Sequence, residues 1–293
     1  MSGEVGRRAF LQCLVASPVA GFYGLSADLA QAAESVVRRR LRFTLTFINP
    51  LDRALGNQGF WCYLPASITA SQSLRRVQVS MPHRLHDDVL GHRILDLAFD
   101  HFPALAQKVV TIIADVEMDQ KRRVEILTDA KQWLQEERFI ESDDSQIRAL
   151  AAQLRRSTQT DTTRAIYEWI QGNVRYAGYL PEDLGALQAL QHLKGDCTEF
   201  AYLVVALARA NGIPARMVGG YVADRDIAPR PQDYHNWAEV YLEGVWSLVD
   251  AQKGNWLEPD DQYVAFRIYR DVSINLVGLA HRYRVQGDLQ LTF

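Results

Sequence analysis

The sequence predicts an α+β protein in which a β-sandwich-like N-terminal domain precedes a domain of mixed helices and strands. Apolar residues recur at every second position through most of residues 38–128, and the spacing turns helical near Asp129. After a helical run at 200–210 that is apolar on nearly every side, two alternating arms return around Glu243-Gly244. With 293 residues, 48% of them hydrophobic, the chain can bury a sizeable core. A formal net charge of −3 offers no field for holding a polyanion, so nucleic acid is not expected as a partner.

The first 32 residues read as an address. Arg7-Arg8 precede Ala9-Phe10-Leu11, a mildly apolar stretch runs to Leu25, and small residues surround Ala30-Gln31-Ala32. This resembles a twin-arginine export signal cleaved near Ala32. Gly6 stands where Ser or Thr is usual, and Gln12 where Lys is common. An amphipathic N-terminal helix is the plainer alternative. Lipidation at Cys13 is rejected, because Gln12 before it is too large for such a site. No other apolar run approaches the roughly 20 residues that a span requires. The mature protein is therefore expected to be soluble, without stable membrane insertion, and periplasmic or secreted from a bacterium. Its two remaining cysteines, Cys62 and Cys197, are too few for a disulfide framework or a clustered metal site, so no metal and no cofactor is expected.

Residues 33–135 form the expected β-rich domain. Leu41, Phe43, Leu45 and Phe47 alternate with Arg42, Thr44 and Thr46, as in a strand with one buried face. Weaker alternation at 60–64, 74–79, 94–99, 109–116 and 124–127, broken by Pro50, Gly56, Pro65, Pro82 and Gly91, predicts further short strands. His83, His86, His92 and His101 are scattered and lack partners at ligand spacing, so they read as solvated or core residues.

Residues 136–293 form the expected catalytic domain. The acidic residues 141–144 supply an N-cap for a helix through Arg156, with Ile147, Leu150, Ala151 and Leu154 on one face. A second helix is expected after Asp161, with Ala165, Ile166, Trp169, Ile170 and Val174 as its apolar stripe. In Gly195-Asp196-Cys197-Thr198-Glu199, Asp196 fits the N-cap and Glu199 the reciprocal capping position, which puts Cys197 in the first turn of the 200–210 helix. Free N–H groups and the positive helix end there are expected to lower the thiol pKa. A lone cysteine is more often just a small buried residue. What raises Cys197 above that is a second element, the arms 234–242 and 245–250 around Glu243-Gly244, which read as a two-residue hairpin.

The register then makes a geometric prediction. If Leu242 faces Val245, counting back pairs Trp237 with Asp250, and His235 becomes the diagonal neighbour of Asp250 on the same face. Asp250 would orient one imidazole nitrogen of His235 and leave the other to take the thiol proton. The backbone N–H of Cys197 is the natural first oxyanion donor. A slip of one residue would separate the pair.

Gly195-Asp196-Cys197-Thr198-Glu199-Phe200-Ala201, the turn from Arg209 to Arg216, Gly220-Tyr221, His235-Asn236-Trp237-Ala238-Glu239-Val240, and Trp246 with Val249-Asp250 resemble the core of transglutaminase-like proteins, from Asp143 to about Asn255. The order Cys, His, Asp and the spacings of 38 and 15 residues match that pattern. Ala251-Gln252 departs from the Pro-Thr that often follows the aspartate. The resemblance implies a papain-like core, a thioester intermediate, and the roles of nucleophile, base and orienting carboxylate for Cys197, His235 and Asp250. It makes a protein or peptide the expected substrate. The acceptor, water or an amine, depends on loops such as 223–233, and hydrolysis is slightly favoured. A non-catalytic binding or assembly module that kept the fold is the alternative.

Overall fold

Alternation in the N-terminal third becomes two antiparallel sheets. In this computed structural model, which describes residues 36–67, 69–258 and 261–293, the strands are β1 (Val36–Ile48), β2 (Gln58–Leu64), β3 (Gln72–Val79), β4 (Arg84–Asp87), β5 (Arg93–Phe99) and β6 (Gln107–Asp119). The expected signal at 1–32 lies outside the described residues. Strand β1 pairs with β6 along its whole length, from Val36 opposite Asp119 to Ile48 opposite Gln107. Leu41, Leu45 and Phe47 are buried while Arg42 and Thr44 stay exposed, as the period of two requires. Phe47, Phe60, Leu95, Leu97, Val110 and Ile112 fill the space between the sheets.

The expected strand at 124–127 is not one. Val124 and Ile126 are 76% and 85% exposed, and the segment meets the hairpin through Glu125 N–H to Gly244 O at 2.8 Å and the Tyr241 hydroxyl, which donates to Glu125 O. One backbone hydrogen bond at a hairpin tip builds no ladder, so alternation alone is not enough.

Beyond Trp133 the helices begin. Asp144 caps α1 (Ser145–Leu154) through Oδ1, which accepts from Gln146 N and Ile147 N, and Ile147, Leu150, Ala151 and Leu154 are buried as expected. Thr158 caps α2 (Gln159–Asn173), three residues ahead of the expected start, with Asp161 in its first turn. Strand β7 (Arg175–Tyr176), helix α3 (Ala186–His192) and β8 (Lys194–Gly195) lead to α4 (Cys197–Ala210). Every residue of α4 from Thr198 to Arg209 is buried.

Helix α4 packs on a five-stranded sheet made of β9 (Ala215–Val222), β10 (Tyr234–Leu242), β11 (Val245–Asp250), β12 (Asn255–Trp256) and β13 (Tyr263–Ile268), ordered β12-β11-β10-β9-β13. Strands β14 (Tyr283–Gln286) and β15 (Gln290–Thr292) then return to pair with β2 and β1. Both N-terminal sheets are thus completed by the C-terminal end of the chain, and residues 36–293 form one compact unit. The change of period near residue 135 marks the start of the helices; it does not set the last two strands apart from the first layers.

Candidate active site

The hairpin that carries two of the candidate residues folds in the register obtained by counting. Leu242 pairs with Val245 and Ala238 with Val249, and both turn residues, Glu243 and Gly244, have positive φ (52° and 87°), as a type I′ turn needs. The ladder ends there, and His235 Nε2 reaches Asp250 Oδ2 at 2.6 Å, both side chains being buried. Asp250 also accepts from the Tyr263 hydroxyl at 3.0 Å and, through Oδ1, from Lys253 N–H at 3.0 Å. Three donors from three segments hold the carboxylate, which in turn makes Nε2 the protonated ring nitrogen and leaves Nδ1 as the atom able to take a proton. Trp237 packs edge-on to Tyr263 with centroids 5.1 Å apart, which closes the far side of this pair.

Cys197 opens α4 as expected. Asp196 Oδ1 accepts from Thr198 N–H at 2.7 Å and Glu199 Oε2 accepts from Asp196 N–H at 3.0 Å, the reciprocal capping arrangement. Each carboxylate has a second task. Asp196 Oδ2 accepts from Leu180 N–H and Glu199 Oε1 from Leu184 N–H, which straps the segment between β7 and α3 onto the start of α4. The sequence reading missed these straps, because nothing local announces a bond across 15 or 16 residues.

The structure places Asn236, rather than His235, in hydrogen-bond contact with the thiol. Asn236 Nδ2 lies 4.0 Å from Cys197 Sγ and donates to Thr198 Oγ1 at 2.9 Å, and the Asn236 backbone N–H is directed at the sulfur. Among the described residues no hydrogen bond joins Cys197 to His235. The expected lowering of the thiol pKa is also overturned. Burial, reinforced by the negative charge of Asp196, pushes Cys197 up to about 11, and the Asn236 and Thr198 donors offset this only in part. The helix end is outweighed chiefly by burial and then by the charge of its own capping carboxylate. Burial alone pushes Cys62, in the sandwich, up to about 12. Tyr176 flanks the site, and its phenol is raised first by burial and then by the charges of Cys197 and Asp196.

Glu199 is raised to about 7, chiefly by burial and then by Asp196. Its folded pKa lies above the ordinary carboxylate value, so its contribution to stability is complete below about pH 4 and is lost as pH rises through 7. Glu199→Gln removes this titration. Across pH 5 to 8 the wild-type melting temperature is expected to fall relative to the variant by the equivalent of up to about 3 kcal/mol. Parallel Tm curves would show that Glu199 is ionised throughout.

Residues 148–251 match the model of the transglutaminase-like superfamily. Uncharacterized protein ML0607 of Mycobacterium leprae (strain TN) is 30% identical over 104 residues, or 32% of this chain and 35% of that protein, so the chain matches about a third of that curated relative's length. Among solved structures, a Cytophaga hutchinsonii protein described as a candidate cysteine protease superposes over 88% of this chain and 90% of its own, with a TM-score of 0.61 and 22% identity. The periplasmic domain of TgpA from Pseudomonas aeruginosa covers 71% of this chain and 86% of its own, with a TM-score of 0.39 and 17% identity. The fold is thus a transglutaminase-like core with a β-rich N-terminal region.

Proposed function

We propose, from the premise of a transglutaminase-like core at residues 148–251, that the protein is a cysteine-dependent amide hydrolase acting on peptides or proteins in the bacterial cell envelope. The 2.6 Å bond between His235 Nε2 and Asp250 Oδ2, at the end of β10 that also carries Asn236 to the thiol, is the observation that supports it most. An imidazole fixed by a carboxylate, on the residue next to the one that touches a thiol at a helix start, supplies the groups that acyl transfer needs. With the thiol held up at about 11, Cys197 rests protonated at neutral pH. His235 Nδ1 therefore takes the proton as Sγ attacks the carbonyl carbon, and a preformed thiolate is not required.

The imidazolium then returns that proton to the departing amine as the C–N bond breaks, leaving a thioester on Cys197. Water, deprotonated by the same Nδ1, attacks the thioester carbonyl; the C–S bond breaks, Sγ takes the proton back from the imidazolium, and the carboxylic acid leaves. The Cys197 N–H at the start of α4 serves the oxyanion. Transfer to an amine differs only in the last nucleophile. The envelope location is supported by the twin-arginine pattern at residues 1–32, and the charge of −3 weighs against nucleic acid as a partner.

A non-catalytic module is favoured by one observation, the lack of a Cys197–His235 hydrogen bond among the described residues. The two readings separate on labelling and turnover. Iodoacetamide near pH 8 is expected to modify Cys197 ahead of Cys62, and His235→Ala to slow cleavage of a peptide amide by at least about 100-fold. Labelling of Cys62 first, with no amide cleavage by the wild type, would favour the binding module.

A further inference from the structure

Large apolar side chains left in water are unevenly placed. Half of those exposed among the described residues fall in two short stretches, 176–193 and 272–279. Tyr176, Tyr179 and Leu184 are 56%, 80% and 44% exposed, and Leu276 and Leu279 are 41% and 51% exposed. The two stretches are distant in sequence, but they are joined. Asp183 Oδ2 accepts from His281 Nε2 at 2.8 Å and from the Tyr202 hydroxyl of α4 at 2.9 Å.

The same stretches border both halves of the candidate site. The first is strapped to the start of α4 by Leu180 N–H to Asp196, Leu184 N–H to Glu199 and Ala177 N–H to Gly195 O. The chain just beyond the second, at His281 and Arg282, is tied to β10 at the residue before His235, through the Tyr234 hydroxyl to His281 O at 3.4 Å and the Arg282 guanidinium over the Tyr234 ring at 5.6 Å. An apolar surface that is held in place by half-buried hydrogen bonds, yet left uncovered beside a nucleophile, marks a place where a ligand completes the burial.

We propose that Tyr176, Tyr179, Leu184, Leu276 and Leu279 form a recognition surface for an apolar or aromatic side chain of the acyl-donor peptide, next to its scissile carbonyl. This rests on the nucleophilic role of Cys197. The surface selects by what it cannot hydrate: an aromatic side chain is released from water there, whereas a carboxylate side chain is stripped of its hydration against the same apolar groups, and the Arg267 and Arg284 guanidinia nearby are engaged by the Leu279 and Leu276 carbonyls at 3.4 Å. Discrimination on the order of tenfold to a hundredfold is the scale such apolar contacts supply.

The test compares three probes on the full chain, with the site of labelling read by mass spectrometry. Iodoacetamide reports the thiol alone; N-acetyl-phenylalanyl and N-acetyl-aspartyl acyloxymethyl ketones report recognition as well. The phenylalanyl probe is expected to modify Cys197 at least about tenfold faster than the aspartyl probe. Tyr179→Ser and Leu279→Ser, both at exposed positions, are each expected to shrink that ratio severalfold, whereas Val89→Ser, on a turn of the N-terminal sheets at 91% exposure, should leave it alone. Equal rates for the two ketones, or a preference that survives both substitutions, would overturn the recognition surface while iodoacetamide still labels Cys197. Failure of iodoacetamide at Cys197 would instead remove the nucleophile, and the surface with it.

Discussion

Asp250→Asn is expected to cut amide turnover by about 10⁴-fold, the scale of replacing the triad aspartate in a serine protease. The contacts of Asp250 say why. If the new side-chain oxygen keeps the Lys253 N–H, the amide nitrogen is presented to His235, which must then accept at Nε2. The ring proton moves to Nδ1, the atom that has to receive the thiol proton. The base is lost through its tautomer while the side chain keeps its volume. The Tyr263 hydroxyl can rotate to a new partner, so the expected loss of stability is only about 1–2 kcal/mol. Tm and single-turnover acylation of Cys197 measured on one sample decide the matter: a strongly destabilised variant with normal acylation would make Asp250 a turn residue and nothing more.

Gly220→Ala is expected to destabilise the core rather than slow the chemistry alone. Gly220 lies opposite His235 in the β9–β10 ladder, and a β-carbon there would stand 2.0 Å from the Val264 carbonyl oxygen in β13. The obstacle is backbone and has no rotamer to change, so β13 must part from β9. That strand carries Tyr263, one of the donors to Asp250. A cost of about 3 kcal/mol or more follows from overpacking of this kind, equivalent to a fall of about 6–12 °C in Tm for a chain of this size. A variant that melts within 2 °C of the wild type would show that the two strands do not approach as closely as this.

Much of the candidate site was legible before any coordinates. Asp196 and Glu199 state a capping box in four letters, which puts Cys197 at a helix start, and the X-Gly turn sets a hairpin whose residues can be counted. Counting suffices because capping and hairpin register are local: they depend on neighbours within a few positions and on the strict alternation of strand side chains. The same alternation misled at 124–127, where the pattern is present but no partner strand lies alongside.

What only the tertiary structure decided is the environment of those groups. The Tyr263 hydroxyl on Asp250, the Asn236 contact with Cys197 and the Asp183–His281 tie join positions 13, 39 and 98 residues apart, distances over which no periodicity carries information. The direction of the thiol pKa was inaccessible for the same reason. The helix start favours a thiolate, but burial and the Asp196 charge oppose it, and their balance depends on how much water the assembled sheet and straps leave around the sulfur. The sequence by itself thus determined which residues stand where along each element, a matter of local geometry. Folding determined how charged each can become, because solvation and Coulomb terms sum over everything that packs around them.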